Sequence, residues 1–297
     1  MGNQFQIGVV SDNEDFAHQA IEISIQEIKR IEALLSTYQS NSETNRINQS
    51  AGIKPVKVTA ETFSLVYRCQ RISELTQGAF DISYGGLDAS LWNFNTQMKS
   101  LPSAQKAKAA IHLINYRNII LDSNEQTIFL REKGMRIGFG GIGKGYAAEM
   151  AKKKMQAFGV ENGLVNASGD ISAWGQSPNQ KPWTIGVAHP SFQNEIFSTI
   201  DITNRAIATS GNYEKFILID GIKYSHTIDP KTGYPIRGIK SVTTICPHAE
   251  FADAMTTPIM ILGVEKGLYM VNQIQDIECI IIDDEDNLHL SKNISVQ

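Results

Sequence analysis

A chain of 297 residues with 42% apolar side chains has the length for one large domain or two closely joined lobes, and enough apolar surface for a folded core. Its 27 basic residues are outnumbered by 31 acidic ones, a net charge of -4, which argues against nucleic acid as a partner. Cys69, Cys246 and Cys279 are isolated and odd in number, so they suit neither a disulfide framework nor a zinc site and are expected to pack as small apolar groups; no apolar run reaches transmembrane length and no signal peptide is visible.

In chain order, residues 4–10 predict a strand, and residues 15–35 an amphipathic helix with Ile21, Ile25, Ile28, Ile31 and Leu35 on one face. The polar stretch 35–43 reads as a loop leading to Asn45 and Asn48; its Tyr38 could stack on something flat, though such a loop is usually plain surface. Residues 56–58 are short and extended. Thr59 is placed to cap a helix running to about residue 77, with Gly78 closing it. Residues 79–87 and 91–94 set aromatics beside glycines without a period, which suits a pocket wall or ordinary loop packing. Ser103 is placed to cap a helix to about residue 114, and 118–122 with 126–131 predict a hairpin turning at 123–125.

The stretch 136–170 organises the chain. Gly138, Gly140, Gly141, Gly143 and Gly145 fall within eight residues and precede a helical pattern that Gly159 is placed to close. Backbone N–H groups freed by glycines at a helix N-terminus cradle anions, so a phosphate-bearing ligand is the first expectation. Residues 138–143 satisfy G-x-G-x-x-G, and the same run to Lys144 nearly satisfies a P-loop. Gly145 replaces the hydroxyl that a P-loop needs for magnesium, and the next strand ends in Asn166 rather than an acid, so neither named motif holds. A turn that merely lets a helix approach a sheet is the rival. The triple Lys152, Lys153 and Lys154 is expected on that helix's solvated face. Residues 164–166 predict a short buried strand, and 168–170 a tight turn.

Strands then dominate: 183–187, 198–202, 206–209, and a hairpin of 217–220 and 223–227 turning on Gly221. The segment 226–235 gathers His226, Asp229, Lys231, Thr232 and Tyr234 on a loop stiffened by Pro230, Gly233 and Pro235, which makes His226 a better catalytic candidate than most lone histidines. Residues 241–246 predict a strand and 250–262 a helix, in which Pro258 should introduce a kink and disfavour helical geometry at Thr257. Asp253 and Thr257 stand four apart on one helix face and could share a hard cation such as Mg²⁺, or form a capping or packing pair. Residues 264–273 predict the last helix and 279–282 the last long strand.

The ordered set Ser36-Thr37-Tyr38, Ala79-Phe80-Asp81, Gly140 through Ala147, Asn166 through Asp170, Ala208 through Gly211, His226 to Pro235 and Ala252 through Thr257 resembles the ApbE family of FAD:protein FMN transferases over nearly the whole chain. The resemblance implies an α+β protein, a single domain over 1–297, with antiparallel or mixed sheets and flanking helices, holding FAD in a cleft between two intimate lobes. It also implies magnesium-dependent transfer of FMN from FAD to a Ser or Thr hydroxyl of an acceptor protein, a respiratory or redox subunit, with release of AMP. Two rivals are a magnesium-dependent FAD pyrophosphatase, giving FMN and AMP, and a flavin-binding protein without chemistry.

By the same resemblance Asp253, Thr256, Thr257 and the carbonyl near Gly141 are metal ligands. Met1, Tyr38, Ala79, Phe80, Asp81 and Ile228 match positions that hold the dinucleotide, Gly138 belongs to the same site, and Lys144 could contact its phosphate or simply form a salt bridge. His226 is the candidate acceptor of the hydroxyl proton. Gly138 stands where the family commonly has an Asp that contacts FAD, Gly143 replaces a frequent Ala, Ile82 a usual Pro, and Pro258 a usual Ala. Family members are usually exported and membrane-anchored, so the lack of a lipoprotein signal points to a trimmed chain or to a member that stays inside the cell.

Overall fold

The computed structural model describes residues 3–87, 91, 100–188, 196–212, 216–219, 221–292 and 294; Met1 and the aromatic run 92–94 lie outside the described residues. The chain begins with β1 (Phe5–Val9), α1 (Glu14–Leu35), α2 (Glu43–Gln49), β2 (Val56–Lys57), α3 (Ala60–Leu75) and α4 (Ala104–Ala110). After a 3-10 turn at Tyr116–Asn118 come β3 (Ile119–Asp122), β4 (Thr127–Leu130), α5 (Gly143–Phe158), β5 (Gly163–Ala167), β6 (Asp170–Trp174), β7 (Trp183–Ala188) and β8 (Ile196–Ile202). β9 (Arg205–Gly211), β10 (Phe216–Ile219), β11 (Ile222–Ser225), β12 (Ile239–Cys246), α6 (Ala249–Val271), β13 (Glu278–Asp283) and β14 (Leu288–Leu290) complete it. This is an α+β fold, and every pair of these strands is antiparallel. Among the described residues no helix is long and apolar enough to cross a membrane.

The chain divides into two compact units. One comprises Met1–Glu32, Ile142–Tyr213 and Gly238–Gln297; the other comprises Ala33–Gly141 and Glu214–Arg237. The first is built on a seven-stranded sheet in the order β1-β5-β6-β9-β12-β13-β14. Strand alternation gives this sheet two different faces. Ile171, Ile207, Ile245 and Ile280 pack with Ile185, Val187, Ile200 and Ile202 of the β7–β8 pair. The opposite face carries small or polar side chains, Ser172, Ala206, Ala208, Ser210 and Thr244, all in register across β6, β9 and β12. α5 and α6 lie on the strands of this sheet and against each other. The second unit holds the sheet β2-β4-β3, the hairpin β10–β11, and α2, α3 and α4.

Several elements depart from the sequence reading. No helix is predicted where α2 lies, the predicted loop ending at residue 43; Ser42 caps it, accepting from the Asn45 N–H at 3.0 Å. In α1 the buried line runs through Ala20, Ser24, Glu27, Ile31 and Leu35, with Ile21, Ile25 and Ile28 only half-buried beside it. α4 stops at Ala110, where helical bonding gives way to tight turns closed by His112 N–H on Ala109 and Ile114 N–H on Ile111. β6 was not expected, yet the two-residue turn at Ser168 (φ 52°) and Gly169 (φ 100°) reverses the chain directly into it. In α6 no kink appears at the proline: the helix runs unbroken through Thr257 and Pro258, and its break falls at Gly263 (φ 81°, ψ 173°), between the predicted helices 250–262 and 264–273. Burial of Ala252, Ala254, Met255, Ile259 and Met260 around the proline holds that stretch helical against its local preference. Lys152 is buried on the inward side of α5, beside Ala148, Ala151 and Met155, and burial lowers its pKa; only Lys153 and Lys154 of the triple lie on the outer face. The three cysteines are free and buried as expected, and burial pushes the Cys246 and Cys279 thiols up to about 12.

The turn after β13 supports a pH prediction. Burial alone would raise the Asp283 carboxyl, but bonds from His289 Nε2 at 2.8 Å, Asn287 Nδ2 at 3.0 Å and the backbone N–H groups of Asn287 and Glu285 hold its pKa down at about 2. A depressed carboxylate stabilises the fold above its unfolded pKa of about 4 and loses that contribution as pH falls through the folded value. Urea midpoints of wild type and Asp283→Asn are therefore expected to differ in full above about pH 5 and to converge toward pH 2.

Candidate active site

The glycine run ends at the N-terminus of α5, and the structure shows why glycine is needed there. A Cβ placed on Gly145 would lie 2.1 Å from the Ala249 carbonyl oxygen and 2.7 Å from Asp253 Cβ. α5 therefore crosses α6 backbone against backbone at this point, which only glycine permits. The crossing brings Asp253 to the start of α5, where its Oδ2 accepts from the Gly145 N–H at 2.9 Å. Glu149 returns the contact one turn on: its Oε2 accepts from the Ala249 N–H at 3.0 Å and its Oε1 lies 3.3 Å from His248 Nδ1. Each helix thus caps the other's N-terminus with a buried carboxylate, where the helix dipole favours negative charge.

Lys144 completes the cluster. Its Nζ donates to Asp170 Oδ2 at 2.5 Å, with the Asp170 side chain 1% exposed. Burial raises the Asp170 carboxyl, against the pull of Lys144. Asp253 is pushed up to about 7, first by burial and then by the charge of Asp170, with Lys144 acting in the opposite direction. Two buried carboxylates thus face one ammonium, and a further positive charge would favour both as anions. Around them are hydroxyls: Thr256 Oγ1 donates to the Asp253 carbonyl at 2.8 Å and lies 2.7 Å from Ser210 Oγ, while Thr257 is half-buried one position on.

Carboxylate, hydroxyl and carbonyl oxygens suit a hard cation of the Mg²⁺ type. Among the described residues no three His, Cys, Asp or Glu side chains converge to hold a metal, so hydroxyl and backbone oxygens must supply part of any ligand set. Asp170, Glu149 and Ser210 were not singled out as site residues from the sequence. Asp170 and Ser210 left one signal each, their places in the motif segments 166–170 and 208–211.

In the second unit Tyr38 stands 97% exposed on a turn whose backbone is tightly held. Ser36 Oγ accepts from the N–H groups of Tyr38 and Gln39, and Asn45 Nδ2 donates to the Thr37 and Gln39 carbonyls at 2.9 and 2.8 Å. A Cβ on Gly138 would sit in ordinary contact with Thr37 Cγ2, at 3.7 Å. Ala79, Phe80 and Ile228 are buried core residues, Ile228 packing with Ile111 and Tyr234. Both Asp81 oxygens are engaged within the fold, by Ser83 N–H and Oγ at 2.8 and 2.6 Å and by the Tyr116 N–H at 2.7 Å.

The segment 226–235 is a small hairpin rather than an open loop. Ile236 N–H donates to the Thr227 carbonyl, and Asp229 Oδ1 and Oδ2 accept from the Lys231 N–H and the Thr232 hydroxyl. Tyr234 donates its hydroxyl to the Pro102 carbonyl at 2.9 Å. Asp229, Thr232 and Tyr234 therefore build the hairpin, and His226 stands exposed at its entrance.

These features define an α+β protein with a buried cluster of charged and hydroxyl groups at a glycine-lined helix N-terminus. The chain belongs to the ApbE family, whose model matches residues 1–281. It is 31% identical to a FAD:protein FMN transferase of Klebsiella pneumoniae over 98% of this chain and 89% of that protein. It is 33% identical to one of Escherichia coli K12 over 81% of this chain and 70% of that protein. Among solved structures it is similar to the ApbE protein of Thermotoga maritima, with a TM-score of 0.87 and 31% identity over 98% of this chain and 94% of that one. It is also similar to the apo form of the Pseudomonas stutzeri flavinyl transferase ApbE, with a TM-score of 0.85 and 26% identity over 98% and 92% of the two chains.

Proposed function

We propose that this chain transfers FMN from FAD to a Ser or Thr hydroxyl of an acceptor protein, with Mg²⁺, releasing AMP. The observation that carries the reading is the Lys144–Asp170–Asp253 cluster at the N-terminus of α5, an oxygen-rich site one positive charge short; the names of the curated relatives supply the substrates. In the reaction the acceptor oxygen bonds to the FMN phosphorus, the pyrophosphate bond to AMP breaks, and the hydroxyl proton passes to a base. Asp253, Thr256, Thr257 and the Gly141 carbonyl would hold Mg²⁺, which neutralises charge building on the phosphates. Lys144 adds a fixed positive charge to the same cluster. Tyr38 and Gly138 hold the dinucleotide, and Met1 belongs to that group by resemblance. Ala79, Phe80, Asp81 and Ile228 belong to the same dinucleotide site by resemblance, and Asp81 also fixes the shape of its turn. His226, exposed at its hairpin entrance, is the base for the incoming hydroxyl.

The test combines FAD and Mg²⁺ with and without a Ser/Thr-bearing flavinylation segment of a respiratory redox subunit, following AMP and protein-bound fluorescence together. AMP with a labelled acceptor supports the transferase. AMP with free FMN in both tubes replaces it with the pyrophosphatase, and bound FAD without AMP replaces it with a flavin-binding protein. His226→Ala is expected to slow labelling about a hundredfold, the scale of a lost general base, while the FAD dissociation constant stays within about threefold. Equal losses in binding and rate would make His226 structural.

A further inference from the structure

We propose that α2 is the positioning element of the dinucleotide site, and that Asn45 and Asn48 are the residues through which it acts. The proposal rests on the reading that Tyr38 and Gly138 hold FAD. α2 has only seven residues, yet Glu43, Thr44, Asn45 and Asn48 on it are all buried. Buried polar side chains need partners, and these partners lie largely on the backbone of other segments. Thr44 Oγ1 donates to the Leu34 carbonyl at 3.4 Å, and Glu43 accepts from the Thr59 N–H and hydroxyl.

The two asparagines hold the two segments that carry the site. Asn45 donates both bonds of its Nδ2 group into the turn, to the carbonyls on either side of Tyr38. Its own N–H is accepted by Ser42 Oγ, which in turn donates to the Ser36 carbonyl at 2.6 Å. Three positions on, the Asn48 amide pairs with Ile137 as a second peptide would: Nδ2 donates to the Ile137 carbonyl at 3.0 Å and Oδ1 accepts its N–H at 2.7 Å. From its other side that strand-like segment is fixed by the Gly138 N–H on the Ile82 carbonyl and by the bridge of Arg136 to Tyr84.

One rigid helical turn thus sets the spacing between an exposed aromatic ring and the backbone at Gly138. Neither asparagine needs to touch the ligand. Their effect is to present the two contacts already in register, so that FAD does not bear the cost of ordering the Tyr38 turn.

Asn48→Asp and Asn45→Asp keep size and remove donors, setting a carboxylate against backbone carbonyls. The matched control is Gln70→Glu, because Gln70 Nε2 also bridges two backbone carbonyls of this unit, those of Tyr116 and Ile119. FAD titration by flavin fluorescence, steady-state kinetics and thermal melts are measured on the full chain for all four proteins. Both Asn variants are expected to raise the FAD dissociation constant and KM about tenfold with kcat within about threefold, whereas Gln70→Glu lowers Tm alone. Asn variants that lose Tm like the control, with unchanged KM and FAD affinity, overturn the proposal. A wild-type chain that binds no FAD overturns the functional reading and this inference with it. Wild-type binding with unaffected Asn45→Asp and Asn48→Asp removes the inference alone.

Discussion

Asp253→Asn is expected to leave the fold standing and to lower Mg²⁺-dependent AMP release about a thousandfold, which is several kcal/mol of charge stabilisation lost from the transition state. The fold should survive because the amide replaces what the carboxylate does structurally. Its oxygen can accept the Gly145 N–H that Asp253 Oδ2 now accepts at 2.9 Å, and its Nδ2 can donate toward Asp170, which already shares a hydrogen bond with Asp253. The repulsion that helps push Asp253 up to about 7 also disappears, so Tm should hold or rise. What is lost is the anionic ligand. Isothermal titration with Mg²⁺, or the Mn²⁺ resonance signal, should therefore show weakened metal binding without any turnover. Wild-type metal affinity in the variant would sink the metal assignment even if the rate fell.

The sequence made much of the framework in both units legible because many elements obey simple periods. The α5 pattern, its closing glycine at Gly159 and the β10–β11 hairpin follow directly from apolar spacing and turn residues. α2 was missed because its inward side chains are polar, so hydrophobic periodicity cannot see it; its burial is satisfied by hydrogen bonds to segments as distant in sequence as Ile137. β6 was missed because all five of its residues are buried, including Asp170 and Ser172, which erases the two-residue alternation that marks a half-buried strand. Pro258 misled for a related reason. Local propensity predicts a kink there, but the surrounding packing holds the helix, and the break lies at Gly263, between the two helices predicted over 250–262 and 264–273.

The candidate site was legible as a list of residues and opaque as a division of labour. Asp229 and Thr232 look like chemistry in a sequence, and each is engaged in shaping a turn. Side chains that hold the geometry, Asn45, Asn48 and Glu149, carried no motif, because their partners are backbone atoms far away in the chain. A resemblance carries residue identities across relatives, whereas the assignment of a carboxylate to cap, scaffold or ligand needs coordinates.

Gly145→Ala is expected to damage both stability and activity, although alanine normally strengthens a helix by about 1 kcal/mol over glycine. The added methyl would meet the Ala249 carbonyl oxygen at 2.1 Å and Asp253 Cβ at 2.7 Å, and the first of these is backbone that cannot rotate away. The helices must part, at an overpacking cost of about 1–3 kcal/mol that outweighs the propensity gain. Parting them lengthens both reciprocal caps, Gly145 to Asp253 and Ala249 to Glu149, and displaces Asp253 from its place beside Lys144 and Asp170. A fall in Tm of about 5 °C follows, with a loss in AMP release of roughly a hundredfold, as an ångström of misplacement can cause. Gly140→Ala is the control, since a Cβ there meets nothing within 4 Å, and it should leave the melting temperature in place. Equal behaviour of the two variants would mean that the crossing is looser than the structure has it. The same contact explains why the run 138–144 fails as a P-loop at its final position. A serine or threonine at 145 would have to occupy the space of the Ala249 carbonyl, which closes that position to any side chain while α5 and α6 cross here.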